Sequence, residues 1–298
     1  MRLKSHAKEG ISSMKINRLG IVGCGLMGSG IAEISARAGY DVVVTEVTED
    51  FLKKGISRIE ASTQKAVDRG KFTAEERAAA LARITGSTKL EDLKDCQMVI
   101  EAVIEKMDEK KKVFSALEGI CSRETVLASN TSSLSITEMA CATKTPDRVL
   151  GLHFFSPVPV MRLLEVVRTT MVNDDVVQAG VAYGKAVGKE TVVCMDAPGF
   201  IVNQLFLPYT LVAVRQWERG LATKEDIDKA MSLGLNYPMG PFTLMDFTGL
   251  DIHYNACMAI YEETKDPAYL PPLVLKKMIQ AGHLGRKTGK GFYDYANK

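Results

Sequence analysis

Six residues from Gly23 to Gly28 set out the first chemistry this chain could perform. Gly23-Cys24-Gly25-Leu26-Met27-Gly28 reads G-x-G-x-x-G, the spacing at which a strand turns tightly into a helix over a bound dinucleotide. Gly23 permits the turn, Gly25 lets the backbone approach a pyrophosphate, and Gly28 lets the helix pack closely on the strand. The helix start offers N–H donors and a partial positive charge to the phosphates. Glu46 follows Gly28 by eighteen residues, near the separation of about 20 at which an acid accepts hydrogen bonds from the adenosine ribose. A carboxylate there repels a 2′-phosphate, and neither Thr45 nor Val47 supplies an arginine, so NAD is favoured over NADP. A ligand-free glycine turn and a solvated strand-end glutamate are the plainer readings of the same residues.

A nicotinamide cofactor carries the hydride and leaves the protein to supply a base for the alcohol proton. Four histidines are available, His6, His153, His253 and His283. His6 lies in a polar N-terminal stretch, and His253 and His283 fall among C-terminal helical segments, where a structural role is expected. His153 sits near the end of the apolar run Val149–Phe155, at the strand edge where open α/β sheets bind ligands. Glu165, on the next strand, could fix its tautomer and stabilise the imidazolium. The competing reading of a histidine beside two phenylalanines is a satisfied core residue. Asn130-Thr131-Ser132-Ser133 is a second polar cluster at a strand end. Ser132 could donate to substrate or cofactor, or the cluster could be a turn leading into a helix capped by Ser135 with Glu138. Asn203 lies inside the apolar run Phe200–Leu211, where an unpartnered amide is costly, which invites a substrate contact.

The elements that must position these groups alternate strand, turn and helix from Asn17 to Cys194, the pattern of a parallel sheet covered by helices. Strands are expected at Leu19–Val22, Val42–Val44, Met98–Ala102, Val126–Ala128, Val149–Phe155, Leu163–Arg168 and Thr191–Cys194. Helices are expected from Met27 to Gly39, over Asp50–Arg69, after the capping box Thr73/Glu76, and over Lys106–Ile120. Asp196-Ala197-Pro198-Gly199 then reads as a linker, and the remainder as helices punctuated by Pro238, Pro241 and Pro271-Pro272. The expected division is a leader over 1–14, an α/β Rossmann-type NAD-binding domain over 15–197 and an all-α C-terminal domain over 198–298.

Composition excludes other classes. Lys and Arg total 38 against 36 Asp and Glu, so no field exists to gather nucleic acid. At 298 residues, 46% hydrophobic and 25% charged, the chain suits two globular domains and not disorder. Its six scattered cysteines form no CxxC motif, so neither zinc nor a disulfide framework is indicated, and reduced thiols of a cytoplasmic or organelle-matrix protein fit. The most apolar stretch, Phe200–Val214, contains Asn203, Gln204 and Pro208 and is too short and polar to span a bilayer. The first fourteen residues are basic and polar without a secretory apolar run, and read as a disordered leader with Met14 as an alternative start.

Taken together, GCGLMGSGIA, SNTSSL, GLHFFSPVPVMRLLEVV, DAPGFIVNQL, YPMGPFTLMDFTGLD and KTGKGFYDY resemble the L-3-hydroxyacyl-CoA dehydrogenase family, its bacterial 3-hydroxybutyryl-CoA branch above all. The likeness runs from Lys15 to Tyr295. It implies an NAD-binding domain followed by a helical domain that forms the homodimer contact, with the active site in the cleft between the domains. It also implies reversible oxidation of an (S)-3-hydroxyacyl-CoA to the 3-ketoacyl-CoA. By this resemblance His153 is the base and Glu165 its partner, Ser132 and Asn203 bind the reacting oxygens, and Glu46, Glu105, Lys110 and Lys287 line the NAD site. The basic side of Asp50–Arg69 resembles the coenzyme A-binding arm, with Lys65 and Arg69 as candidates, although a merely solvated charged face has the same appearance. Where many members carry Asn after HFF, this chain has Ser156, a shorter donor whose cofactor contact is lost or water-mediated. A free hydroxy-acid dehydrogenase, such as one for L-gulonate, and a noncatalytic NAD-binding protein share the scaffold. Coenzyme A dependence separates the first, and the intact His153 and Glu165 argue against the second.

Overall fold

The computed structural model describes Met14–Ala296. Residues 1–13, which hold most of the expected leader and His6, lie outside the described residues. Met14, counted with that leader in the sequence reading, is half-buried against the core and its sulfur accepts from the Arg148 guanidinium at 3.5 Å. The chain forms two compact units: one is the chain up to Thr131 together with Ser135–Asp196, the other Ser132–Leu134 together with Ala197 onward.

The first unit runs β1 (Arg18–Val22), α1 (Leu26–Arg37), β2 (Asp41–Thr45), α2 (Glu49–Asp68), α3 (Ala74–Ala82), β3 (Ile84–Ser87), β4 (Met98–Glu101), α4 (Met107–Ile120), β5 (Val126–Ser129), α5 (Ile136–Ala140), β6 (Val149–Phe154), β7 (Leu163–Arg168), α6 (Asp174–Ala186) and β8 (Glu190–Met195). The strands form one sheet in the order β3-β2-β1-β4-β5-β6-β7-β8. The buried strands carry near-continuous apolar runs because helices cover the sheet. β1 and β2 bury four of their five residues each.

The expected parallel sheet needs one correction. Six strands are mutually parallel, but β7 pairs antiparallel with β6, and β8 then runs parallel to β7. The connection from β6 to β7 is residues 155–162, too short for the crossover that a parallel partner requires. β3 and α6 are additional to the sequence reading. β3 is only partly buried and its polar Thr85-Gly86-Ser87 carries no apolar run.

Local signals are realised in detail. Gly39 takes φ +96° just past α1, as a left-handed C′ residue should. Thr73 and Glu76 close a reciprocal capping box on α3. Ser135 caps α5 through the Glu138 N–H, yet the Glu138 carboxylate pairs with Lys111, and Asp196 accepts from the N–H groups of Ile136 and Thr137.

The second unit comprises α7 (Val202–Glu218), α8 (Lys224–Gly234), α9 (Pro241–Thr248), α10 (Leu250–Thr264) and α11 (Leu273–Gln280). Its core centres on Leu207, Leu211, Val214, Phe242, Met245 and Phe292, with Trp217, Phe242 and Phe292 meeting edge to face. Pro208 lies inside α7 and offers no N–H to the carbonyl of Gln204; the Tyr269 hydroxyl donates there instead, at 3.0 Å. Buried Asp246 accepts from the N–H groups of Phe292 and Tyr293 and from the Tyr295 hydroxyl, tying the C-terminal segment to α9.

His253 is the buried histidine of this unit. The hydroxyl proton of Thr210 goes to the Leu207 carbonyl, so His253 Nε2–H donates to Thr210 Oγ1 at 2.8 Å. Burial pulls its pKa down to about 4. Between this value and the ordinary imidazole range the unfolded chain binds a proton that the fold does not. Stability should therefore fall as pH drops through roughly 6.5 towards 4, by a few kcal/mol in all, and level off below that. Urea unfolding at pH 5 and pH 7 should show a smaller difference for His253→Gln than for the parent protein; equal differences would remove His253 as the source.

Candidate active site

The strands of the first unit end in loops that gather the polar groups. At the end of β1, Gly23 has φ +94°, and a Cβ there would meet the Ala102 carbonyl oxygen at 2.8 Å. A Cβ on Gly28 would lie 1.8 Å from the Gly23 carbonyl oxygen, so α1 can approach β1 only because that residue is glycine. A Cβ on Gly25 would meet nothing within 4 Å. Gly25 is thus dispensable to internal packing, and the open space beside it suits a ligand pressed against the backbone. As N-cap of α1, it also adds no side chain over the helix start. Exposed Leu26 and half-buried Met27 begin that helix.

Glu46, just past β2, accepts from Cys24 N–H at 2.8 Å through one carboxylate oxygen and from Val47 N–H at 3.1 Å through the other. These bonds seat an acid beside the glycine turn. Arg58 reaches from α2 to the Cys24 carbonyl at 3.3 Å. The open cradle, the turn geometry and the adjacent carboxylate fit a dinucleotide with an unphosphorylated ribose.

The antiparallel register of β6 and β7 sets His153 directly opposite Glu165, and cross-strand neighbours of this kind share one face of the sheet. His153 Nδ1 lies 2.6 Å from Glu165 Oε2, with side-chain exposures of 6% and 0%. Glu165 thereby has a partner for a carboxyl group removed from water. A carboxylate accepting from Nδ1–H makes Nε2 the basic nitrogen of the neutral ring. The Phe155 ring lies 4.5 Å away, centroid to centroid, and helps fix the imidazole plane. Nearby Cys194 is held as a thiol: burial, then Glu165 and Asp196, push it up to about 12.

A second polar group joins the ends of β4 and β5. Lys110 Nζ lies 2.7 Å from Glu101 and 3.2 Å from Glu105, with its side chain 1% exposed. Lys110 is consequently buried in an ion pair, while Glu105 remains 42% exposed. Thr131 Oγ1 donates to Glu105 at 2.5 Å. Asn130 Oδ1 accepts from Phe154 N–H at 2.9 Å, linking this loop to the residue after His153.

Ser132 and Asn203 fall in the second unit, where Asn203 Nδ2 donates to the Ser132 carbonyl at 3.4 Å. Lys287, also there, pairs with both oxygens of Asp251 at 2.5 and 2.7 Å. Lys65 and Arg69 are exposed at the end of α2. Lys65 borders a cavity of about 340 Å³ with Leu26, Arg58, Ser62 and Val158, whereas Arg69 is outside that lining. Ser156 is exposed, and His283 is half-buried.

Glu101, Ser129 and Arg58 escaped the sequence reading. A carboxylate closing the apolar strand Met98-Val99-Ile100 was the available signal for Glu101, since an acid at such a position needs a partner. For Arg58 the sequence shows only one more cation on a basic helix face.

Known proteins are similar to this chain over nearly its whole length. Residues 18–197 match the family described as 3-hydroxyacyl-CoA dehydrogenase, NAD binding domain, and residues 199–295 match 3-hydroxyacyl-CoA dehydrogenase, C-terminal domain. A 3-hydroxybutyryl-CoA dehydrogenase of Mycobacterium tuberculosis is 49% identical, covering 94% of this chain and 99% of that protein. The mitochondrial hydroxyacyl-coenzyme A dehydrogenase of Homo sapiens is 42% identical, covering 99% and 97%. The crystal structure of (S)-3-hydroxybutyryl-CoA dehydrogenase PaaH1 from Ralstonia eutropha superposes with a TM-score of 0.91 at 41% identity, covering 95% of this chain and all of that one.

The two glycines should separate under substitution. Gly28→Ala forces a clash with backbone and should destabilise the protein by about 1–3 kcal/mol or more. Gly25→Ala should melt like the parent yet bind NADH about tenfold more weakly, a loss near 1.4 kcal/mol. Calorimetric melting and NADH fluorescence titration check both, and undiminished NADH affinity in Gly25→Ala would remove the cradle.

Proposed function

Because this chain belongs to the 3-hydroxyacyl-CoA dehydrogenase family, we propose that it oxidises (S)-3-hydroxyacyl-CoA thioesters, 3-hydroxybutyryl-CoA among them, to 3-ketoacyl-CoA with NAD, and runs the reverse reduction. The observation that carries this reading is the 2.6 Å contact between His153 and Glu165. NAD, when bound, supplies the acceptor for the hydride that leaves C3 of the substrate. His153 Nε2 takes the C3 hydroxyl proton as the C–H bond breaks, which leaves a C3 carbonyl and an imidazolium. Glu165 stabilises that imidazolium and keeps the ring in the tautomer that accepts at Nε2. In the reverse direction the imidazolium returns the proton to the forming alkoxide oxygen.

In this reading Ser132 and Asn203 bind the reacting oxygens of the substrate. Gly23, Gly25, Leu26, Met27 and Gly28 receive the dinucleotide, Glu46 its ribose, and Glu105, Lys110, Ser132, Ser156 and Lys287 complete the cofactor site. Lys65 and Arg69 meet the phosphates of coenzyme A. The cavity beside Lys65 and the exposure of both cations favour this assignment.

A homodimer through the helical unit belongs to the same proposal. That unit exposes Leu205, Leu221, Leu233, Phe247, Ile252 and Leu273, each more than half accessible, and a second copy would cover such surface. A cytoplasmic setting is favoured by six free cysteines.

Acetoacetyl-CoA and NADH supply the test. The parent protein should turn them over, and His153→Gln should lose about 10²–10⁴-fold in kcat while NADH still binds. Near-normal turnover in that variant would exclude His153 as the base. Glu165→Gln should lower kcat by a comparable factor and alter the pH–rate profile; full activity with an unchanged profile would exclude the orienting carboxylate.

A further inference from the structure

We propose that Glu101 is a positioning residue for both halves of the reaction: its buried carboxylate fixes Lys110 for the cofactor and, through Ser129, the loop that leads to Ser132 for the substrate. The proposal rests on the dehydrogenase reading above and extends it to a residue that touches neither ligand.

Glu101 ends β4 and is fully buried. One of its oxygens accepts from Val103 N–H at 2.7 Å and from Lys110 Nζ at 2.7 Å. The other accepts from Ser129 Oγ at 2.6 Å, and the two residues stand in register on adjacent strands. Ser129 Oγ in turn accepts from Thr131 N–H at 3.1 Å. Thr131 Oγ1 donates to Glu105, and Glu105 returns to Lys110. These bonds close a ring: Glu101, Lys110, Glu105, Thr131, Ser129 and Glu101 again. The ring spans two strand-end loops, one carrying Glu105 and the other ending in Ser132. The backbone adds a further tie, since Asn130 N–H donates to the Glu101 carbonyl at 2.8 Å and the Asn130 side chain accepts from Phe154 N–H. One anion thus sets the cofactor cation and the substrate loop, and that loop is fastened to the strand of His153.

The chemistry requires a carboxylate. Three donors converge on Glu101, from Val103, Lys110 and Ser129. A glutamine offers one acceptor oxygen and would turn an NH₂ toward a donor. It would also take away the buried ammonium's fully buried anionic partner, leaving it the Val103 carbonyl and the half-exposed Glu105, an unfavourable change.

The test uses the full chain with acetoacetyl-CoA and NADH, reading kcat, KM for each substrate, the NADH dissociation constant by fluorescence, and the melting temperature. Glu101→Gln should weaken NADH binding about tenfold or more and lower kcat by a similar factor, the range expected when a group that orients a site residue is removed. Ser129→Ala keeps both charges; it should lower kcat severalfold while NADH binding stays within about twofold. The double variant Glu101→Gln/Lys110→Met removes the ammonium that has lost its buried anion; it should regain melting temperature and bind NADH no more weakly than Lys110→Met alone, because Glu101 acts on the cofactor through Lys110. NADH binding in the double variant well below that of Lys110→Met alone would mean that Glu101 does not act through Lys110 and would overturn the proposal. Parent-like constants in Glu101→Gln, or full kcat in Ser129→Ala, would also overturn it. Should Glu101→Gln fail to fold, Ser129→Ala still decides. A parent protein inactive on the thioester defeats the dehydrogenase reading itself, whereas an active parent with an unaffected Glu101→Gln defeats only the role of Glu101.

Discussion

In the proposed mechanism, the chemistry depends on one cross-strand hydrogen bond, from the His153 ring to the Glu165 carboxylate. A fully buried carboxylate is costly unless it meets a donor, and an imidazole with one nitrogen so engaged is left with a defined basic nitrogen. The pair exists because β7 returns beside β6 in antiparallel register and puts the two residues opposite each other. A shift of one residue would turn Glu165 to the other face of the sheet. The eight-residue return is therefore as much a part of the site as the two side chains.

The same logic governs the neighbouring strand ends. Parallel strands of an α/β sheet finish together at one edge, where their last residues can exchange polar groups. Here β4 ends in Glu101 and β5 in Ser129, and their side chains meet within a hydrogen-bonded ring that includes buried Lys110. β1 ends in a glycine turn fastened to Glu46 after β2. Each polar cluster joins two elements that the sheet has already made adjacent, so the backbone ladder carries the precision and the side chains carry the chemistry.

Much of this was legible in the sequence because local rules fix it. The glycine turn, the Gly39 stop, the Thr73 capping box and the proline-punctuated helices follow from single residues and short spacings. His153 and Glu165 were legible as candidates, but their contact was not, since periodicity says nothing of whether the second strand returns parallel or antiparallel. β3 was missed because it has no apolar run, whereas α6 does carry local signals, Asn173 with Asp174-Asp175 at its start and Gly188 just past its end. Glu101 was invisible as a partner of Lys110, for their meeting depends on how β4 enters α4. Met14 reads as leader by composition, yet its thioether packs against the core and Arg148, a contact no local pattern announces.

The most direct test of the central interaction is the tautomer of the His153 ring, read by ¹⁵N NMR of the histidine-labelled protein at a pH where that ring is neutral. The structure predicts a proton on Nδ1, engaged by Glu165, with Nε2 showing the shift of an unprotonated nitrogen, and loss of that signature in Glu165→Gln. A neutral ring protonated on Nε2, or an Nδ1 signal indifferent to Glu165, would contradict the account.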